Sequence, residues 1–132
     1  MNTISKEQAR AYSPLTLAFL GDSYYELMTR QRITLEHNMN AEKLHLAAVE
    51  KVRASYQAKA SESVLPLLTE EESEIFRRGR NATGTVPRSA SPAEYRKATA
   101  LEVLFGWLLL IGATERAEEL FEEVYYYKEE KK

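Results

Sequence analysis

Two acidic residues lie inside otherwise apolar segments, and they are the side chains best suited to chemistry. Asp22 lies within residues 15–28, where apolar side chains recur at three- and four-residue spacing, and Glu102 lies within the apolar stretch 101–112. An ionised carboxylate in such a segment is costly to bury unless a partner compensates its charge. If the two segments pack together, the carboxylates would form a site for a hard cation such as Mg²⁺. Such a cation activates water and stabilises charge on a phosphoryl oxygen.

Other interpretations of these acids stay open on the residue pattern alone. Asp22 could be exposed by chance. Each acid could also be paired with a base inside a plain helical interaction module, with Arg30 and Lys97 as nearby bases. Glu26 lies one helical turn after Asp22, so it could be a further ligand, an outer-shell partner of the cation or the salt-bridge acceptor for Arg30.

A basic block lies between the two acidic segments. Residues 77–97 contain six basic residues and one acidic residue, whereas the rest of the chain contains 12 basic and 19 acidic residues. Arginine forks match phosphate oxygens through paired hydrogen bonds, so the block could bind phosphates; a solvated basic face is the alternative. The residues that would contact phosphates in the first case are Arg77, Arg78, Arg80, Asn81, Arg88, Arg96 and Lys97.

The composition is typical of a globular protein with one core. The 132 residues are 44% hydrophobic and 29% charged, so we expect a single domain over residues 1–132. The absence of cysteine excludes disulfides and thiolate metal sites and fits a reducing compartment. The longest apolar stretch is too short to cross a bilayer, and the first residues lack a signal-peptide core. We therefore expect a cytoplasmic protein without a membrane partner.

Helix signals divide the chain into six or seven helices, and no segment alternates like a strand, so an all-α fold is predicted. The first long helix should run from Pro14 to about Leu35, with Ser13 as its N-cap. The second should begin after Asn40, with apolar positions as far as Tyr56.

The middle of the chain contains two further helix starts. Ser61 is predicted to cap a short helical turn that ends near Leu68. Thr69 and Glu72 have the spacing of a capping box, and the helix that they start should end near Asn81.

The last third contains one loop and two helices. Residues 82–90 form the only clear loop. Ser91–Glu94 combines an N-cap, a proline at the first helical position and a capping-box glutamate, and this helix should end at Gly112 and lie at the centre of the fold. Thr114 is predicted to cap the last helix, and the tail from about residue 126 is expected to fray.

Two segments resemble one known family. Residues 17–26, Leu-Ala-Phe-Leu-Gly-Asp-Ser-Tyr-Tyr-Glu, resemble the signature helix of ribonuclease III catalytic domains, which centres on Phe-Leu-Gly-Asp-Ala-Val. Residues 99–106 resemble the second catalytic segment, in which a glutamate precedes an apolar pair and a glycine. The short length, the Arg-Gly-Arg-Asn-Ala block and the lack of a double-stranded-RNA-binding domain narrow the resemblance to the short bacterial Mini-ribonuclease III proteins. It covers residues 15–120.

The resemblance implies a homodimeric helical endonuclease that hydrolyses double-stranded RNA with Mg²⁺, for which Mn²⁺ can substitute, and leaves 5′-phosphate and 3′-hydroxyl ends. The implied substrate is precursor 23S ribosomal RNA. Asp22 and Glu102 would be the catalytic metal ligands. An apolar helix with Tyr24 and Tyr25 exposed would favour a symmetric interface. Gly21 would leave room for another backbone or for substrate.

The chain departs from longer ribonuclease III enzymes at two positions. Ala18 and Thr99 stand where those enzymes usually carry a glutamate and an aspartate, so two of four family acids remain. The short bacterial proteins are expected to work with this reduced set. Because some relatives lose their acids, the alternative is a non-catalytic RNA-binding or ribosome-assembly factor of the same fold. A cleavage assay with and without Mg²⁺ separates the two.

Overall fold

The computed structural model describes residues 1–82 and 84–128. Within these residues the chain forms seven α-helices and one short 3-10 turn, with no strand, which confirms the predicted all-α fold. The helices are α1 (Lys6–Arg10), α2 (Pro14–Glu36), α3 (Ala41–Val52), α4 (Ala54–Val64), α5 (Glu70–Arg80), α6 (Pro92–Leu110) and α7 (Thr114–Tyr125).

Helix α6 is the centre of the fold, as its apolar sequence predicted. It packs against α2, α4, α5 and α7. Every residue of 98–108 is buried except Thr99 and Glu102, which are half-buried. The largest fully buried side chains come from α6 and from the helices around it, with Trp107 on α6, Tyr25 on α2 and Phe121 on α7. Glu102 is therefore the one acid within residues 98–108, the part of α6 that is buried among these neighbours.

Local capping residues predicted most helix starts correctly. Pro14 begins α2, and this helix ends at Glu36, one residue beyond its predicted end. The Asn40 side chain accepts a hydrogen bond from the first turn of α3. Thr69 and Glu72 exchange both hydrogen bonds of the predicted capping box at the start of α5.

Two predictions in the middle of the chain are wrong. The apolar pattern that continued to Tyr56 belongs to two helices, because Arg53 adopts an extended backbone (φ −66°, ψ 144°) between α3 and α4. Ser61 is not a cap. It is fully buried inside α4, where its Oγ donates to a backbone carbonyl oxygen at 2.6 Å. The short turn is Leu65–Leu67.

Two caps in the last third are also simpler than predicted. The Ser91 Oγ accepts from the backbone N–H of Glu94 at 3.5 Å, but in the described structure the Glu94 side chain does not return a bond. Thr114 is the first residue of α7, and its N-cap is Ala113. The apolar face of α7 is fully buried, and four of its residues are each 1% exposed or less: Ala117, Leu120, Phe121 and Val124.

The two ends of the chain differ in how far the structure describes them. The predicted lead-in contains the short helix α1, and α7 ends at Tyr125, next to the predicted start of the tail. The rest of that tail, residues 129–132, lies outside the described residues. Among the described helices, none has the length and apolarity to span a membrane.

A close crossing of α2 and α6 positions the two acids. A Cβ atom built on Gly21 would lie 1.6 Å from the carbonyl oxygen of Glu102, and one built on Gly106 would lie 2.0 Å from the carbonyl oxygen of Leu17. Only residues without a side chain allow the two backbones to come so close. The prediction that Gly21 admits another backbone is confirmed.

Candidate active site

The helix crossing brings Asp22 and Glu102 together. Asp22 follows Gly21 on α2, and Glu102 faces the same crossing from α6. The two carboxyl groups are within hydrogen-bonding reach of each other. Both line one cavity of about 690 Å³. Asp22 is exposed to solvent and Glu102 is half-buried, so the pair lies at the boundary between the core and water.

Burial and the neighbouring carboxyl group perturb Glu102. Burial, together with the hydrogen bond and the negative charge of Asp22, raises the pKa of Glu102 to about 8. A hydrogen bond from the Gln57 side chain acts in the opposite direction and lowers that pKa. Because two close carboxylates repel each other, Glu102 keeps its proton at neutral pH unless a cation compensates the charge. A cation that bound between the two carboxyl groups would have to displace that proton.

The donor set fits a hard divalent cation. Carboxylate oxygens are the ligands that Mg²⁺ prefers, and the exposure of Asp22 leaves room for water ligands. Over residues 1–82 and 84–128, no cluster of three or more histidine or acidic side chains forms. The Glu26 carboxylate lies 3.6 Å from Arg30, which favours the salt-bridge interpretation. An outer-shell role for Glu26 stays a prediction.

The positions of the two missing family acids also face this cavity. Ala18 and Thr99 both line it, together with Asp22 and Glu102. Each lies about one helical turn before its acid, on the same helix. Acidic side chains at these positions would therefore lie beside the pair that remains, which agrees with the residue-by-residue resemblance.

Part of the basic block borders the same cavity. Its members that line the cavity are Arg80, Asn81, Arg96 and Lys97. The Nζ of Lys97 also lies 2.7 Å from the Glu62 carboxylate, in an exposed ion pair of the kind that contributes little to stability. Three basic side chains, Arg80, Arg96 and Lys97, therefore line the same cavity as the two acids. RNA contact by these four residues stays a prediction.

The other three predicted contacts do not line the cavity formed by the described residues. The Arg78 Nη1 and Nη2 donate to the carbonyl oxygens of Arg10 and Tyr12, each at 3.3 Å. These bonds tie the end of α5 to the segment that leads into α2. Arg77 and Arg88 are exposed. RNA contact by these three arginines stays a prediction, and for Arg78 the observed bonds give it a structural role.

An exposed apolar stripe runs along α2 beside the cavity. Phe19 is 83% exposed, and Leu15 and Leu27 on the same stripe are 44% and 58% exposed. Leu15 and Phe19 also line the cavity. The prediction that Tyr24 and Tyr25 are exposed is wrong, because both face the core and are 9% and 1% exposed. We call the exposed surface formed by Leu15, Phe19 and Leu27 the α2 stripe.

Sequence reasoning missed the residue that approaches the acids from a third helix. Gln57 on α4 is 2% exposed, and its Nε2 donates to the Val52 carbonyl oxygen at 2.7 Å. A single glutamine in a helix gives no sequence signal of its own. The only available signal was the small size of its neighbours Ala58 and Ala60, which is typical of a helix packed closely against another.

Comparison with known proteins shows which family the chain resembles. Residues 15–112 match the Ribonuclease III domain family. The chain is 44% identical to Mini-ribonuclease 3 of Symbiobacterium thermophilum over 110 residues, which cover 83% of this chain and 85% of that protein. It is 50% identical to Mini-ribonuclease 3 of Gloeobacter violaceus over 103 residues, which cover 78% and 76%.

A solved structure shares the fold. The crystal structure of a protein from Fusobacterium nucleatum superposes with a TM-score of 0.80 at 36% sequence identity, and the match covers 88% of this chain and 93% of that one. The matched family region contains both acidic segments and the basic block between them.

Proposed function

The chain belongs to the ribonuclease III family, among its Mini-ribonuclease 3 members, and we propose that it is an endoribonuclease that hydrolyses double-stranded RNA with Mg²⁺. The observation that carries this proposal is the pairing of the Asp22 and Glu102 carboxyl groups in a cavity bordered by Arg80, Arg96 and Lys97. Acids alone would repel a phosphodiester, and bases alone would bind it without cutting. The cavity contains both.

Asp22 and Glu102 would hold Mg²⁺ through their carboxylate oxygens. When bound, the ion supplies Lewis-acid chemistry, lowering the pKa of a water ligand and neutralising charge on the phosphate. Glu102 has to lose its proton before it can act as a ligand, and its carboxyl group lies within hydrogen-bonding reach of Asp22. By holding the ion, the two acids would determine where the attacking water lies.

The basic side chains of the cavity would orient the scissile phosphate. Arg80 and Arg96 would bind its non-bridging oxygens and hold the phosphorus next to the acids, which lowers the barrier by positioning and by stabilising developing charge. Water attacks phosphorus, the bond from phosphorus to the 3′ oxygen breaks, and that oxygen takes up a proton. The products are a 5′-phosphate and a 3′-hydroxyl.

The substrate that fits this surface is an A-form duplex. Such a duplex offers phosphates and 2′-hydroxyls across a wide minor groove, so recognition depends on shape and charge more than on base sequence. The basic block gives an otherwise acidic chain one positive segment, and part of that segment lies beside the acids. Precursor 23S ribosomal RNA is the natural substrate that the family resemblance implies.

The active form is a homodimer joined along the α2 stripe. An exposed phenylalanine flanked by exposed leucines is typical of a surface that another protein covers. Because Leu15 and Phe19 also line the cavity, a symmetric contact along the stripe would bring two cavities near one interface. Each cavity would then cut one strand of a bound duplex.

Cleavage of a long duplex RNA tests this function. Wild type should cut it with Mg²⁺ and not with EDTA, and Asp22→Asn or Glu102→Gln should lower the rate by about 1,000-fold or more, because each removes charge stabilisation at the reacting phosphate. Both variants should bind the duplex in Ca²⁺ about as tightly as wild type. Glu74→Gln, at an exposed acid on α5, is the matched control and should cleave normally.

The assay also separates the alternative function. If Asp22→Asn cleaves at a rate near that of wild type, the proposed role of the acid pair is wrong. If wild type binds the duplex but Mg²⁺ never induces cleavage, the protein is instead a non-catalytic RNA-binding or ribosome-assembly factor.

A further inference from the structure

Gln57 is a buried amide that reaches the acid pair from α4. Its side chain bonds the Val52 carbonyl oxygen through Nε2 at 2.7 Å and is also a hydrogen-bond partner of the Glu102 carboxyl group. Within the described residues its Oε1 is buried without a partner. A buried acceptor without a partner lowers stability, so an apolar side chain of the same size would suit this position better if packing were its only role.

The Val52 carbonyl group determines how the amide is oriented. If the amide were rotated by half a turn, its Oε1 would face the Val52 carbonyl oxygen, and two acceptors would meet without a hydrogen between them. With Nε2 on Val52, the second hydrogen of the same nitrogen can be donated to Glu102. The amide orientation that leaves Oε1 without a hydrogen bond is therefore the one in which Nε2 can donate to the Glu102 carboxylate.

We propose that Gln57 is a positioning residue that holds the Glu102 carboxylate in place beside Asp22 for binding of a divalent cation. The inference rests on the proposed function, because it requires Glu102 to be a metal ligand. A donor on a ligand carboxylate restrains its rotation and favours its ionised form. Gln57 is not among the described residues that line the cavity. It therefore acts through Glu102 and not by contact with RNA.

Binding of Mn²⁺ to the RNA-free protein tests this role. Free Mn²⁺ is followed by electron paramagnetic resonance during titration of wild type, Gln57→Met, Asp22→Asn and Ser61→Ala. Methionine keeps the length of the side chain and removes both amide hydrogens. Ser61→Ala is the matched control, because Ser61 lies one turn later on α4, is equally buried and donates only to a backbone carbonyl.

Gln57→Met should bind Mn²⁺ about 10-fold more weakly than wild type, the lower end of the effect of groups that orient metal ligands. Ser61→Ala should keep wild-type Mn²⁺ affinity, although its unfolding temperature falls. RNA cleavage by Gln57→Met should need correspondingly more Mg²⁺, and duplex affinity in Ca²⁺ should not change. A purely structural role for Gln57 would move the unfolding temperature and leave the Mn²⁺ affinity at its wild-type value.

Wild-type Mn²⁺ affinity in folded Gln57→Met would overturn the inference. If this variant does not fold, Gln57→Leu replaces it, and failure of both to fold would also overturn the inference, because the amide would then be needed for folding itself. If wild type and Asp22→Asn bind Mn²⁺ alike, the proposed function fails. That result differs from failure of the Gln57 role alone, in which Asp22→Asn still loses Mn²⁺ binding.

Discussion

Gly21 lies against the backbone of Glu102, so close that a Cβ atom on Gly21 would be 1.6 Å from the Glu102 carbonyl oxygen. Packed helices are usually about 8–10 Å apart, with side chains between them. Here Gly21 on α2 and Gly106 on α6 remove those side chains at the crossing. The residue after Gly21, Asp22, is thereby held next to the Glu102 carboxyl group. The acid pair depends on two glycines as much as on two acids.

Gly21→Ala should separate the helices and disrupt the acid pair. We expect the free energy of unfolding to fall by about 3 kcal/mol or more, because a methyl group would overlap the Glu102 carbonyl oxygen. Urea denaturation measures this change, and duplex cleavage should be lost with it. Gly84→Ala is the control, since its Cβ would lie 3.9 Å from the nearest atom, and its stability should stay within about 0.5 kcal/mol of wild type. Equal stability of the two variants would contradict the tight crossing.

The metal-free protein should lose stability as the pH rises towards 8. The pKa of Glu102 is raised to about 8 in the folded protein by burial and by Asp22, whereas an unfolded glutamate titrates near 4.3. Between these values the unfolded chain releases a proton that the folded chain keeps. Each increase in pH then favours unfolding, and the loss is complete above the folded pKa. Melting temperatures measured in EDTA from pH 5 to 9 test this expectation.

Glu102→Gln is the control for this pH dependence. Glutamine does not titrate, so the difference in melting temperature between the variant and wild type should grow from pH 5 to 8 and then stay constant. Addition of Mg²⁺ to wild type near pH 7 should release roughly one proton per site, because a ligand carboxylate must be ionised. Calorimetry in buffers of different ionisation enthalpy detects that proton. A constant difference across the whole pH range would exclude a raised pKa at Glu102.

Local chemistry explains which features could be predicted from the sequence. Capping residues such as Asn40 and Thr69 act within four residues of themselves, so the starts of α3 and α5 were predictable. Asp22 and Glu102 could be predicted as candidate site residues because each interrupts an apolar helix. The contact between the two side chains depends on how α2 packs against α6. Only the family resemblance predicted that packing.

The missed features depend on tertiary contacts. Arg53 separates α3 from α4 without a glycine or proline nearby. The apolar pattern continues through this position, so it predicted one helix instead of two. Helix α2 carries apolar residues on both its faces, so periodicity could not show that Tyr25 faces the core and Phe19 faces outwards. The contact of Gln57 with Glu102 depends on the packing of α4 against α6, which the sequence pattern does not predict.

Two neighbouring arginines should respond differently to loss of charge. Arg80 lines the cavity, so Arg80→Gln should weaken duplex binding and reduce the slope of log affinity against log salt by roughly one. Arg78 instead bonds two backbone carbonyl oxygens, so Arg78→Gln should lower the melting temperature by about 3–6 °C. Binding in Ca²⁺ at several salt concentrations, together with thermal melting, separates the effects. A salt slope reduced equally in both variants would show that Arg78 contacts RNA.

The α2 stripe should control the oligomeric state. Phe19→Asn replaces its most exposed apolar side chain, and we expect a dimeric wild type to become monomeric, because the buried area at the interface contributes most of its affinity. Sedimentation velocity measures the mass. Leu35→Asn is the control, because Leu35 is 76% exposed on the same helix and lies beyond the described lining of the cavity. A monomeric wild type, or a dimer that survives Phe19→Asn, would contradict the proposed interface.

Restoring the two missing family acids should increase the capacity of the site for divalent cations. In Ala18→Glu with Thr99→Asp, four carboxyl groups would line the cavity, so more Mn²⁺ should bind per protomer than in wild type. Without metal, repulsion among these carboxylates should lower the melting temperature by a few degrees, on the order of 1 kcal/mol of stability. Calorimetric titration with Mn²⁺ gives the stoichiometry. Thr16→Glu with Thr34→Asp adds the same two charges at exposed positions of α2 outside the described cavity lining, and it should bind no additional ion. Identical stoichiometry in both double variants would show that Ala18 and Thr99 do not occupy ligand positions.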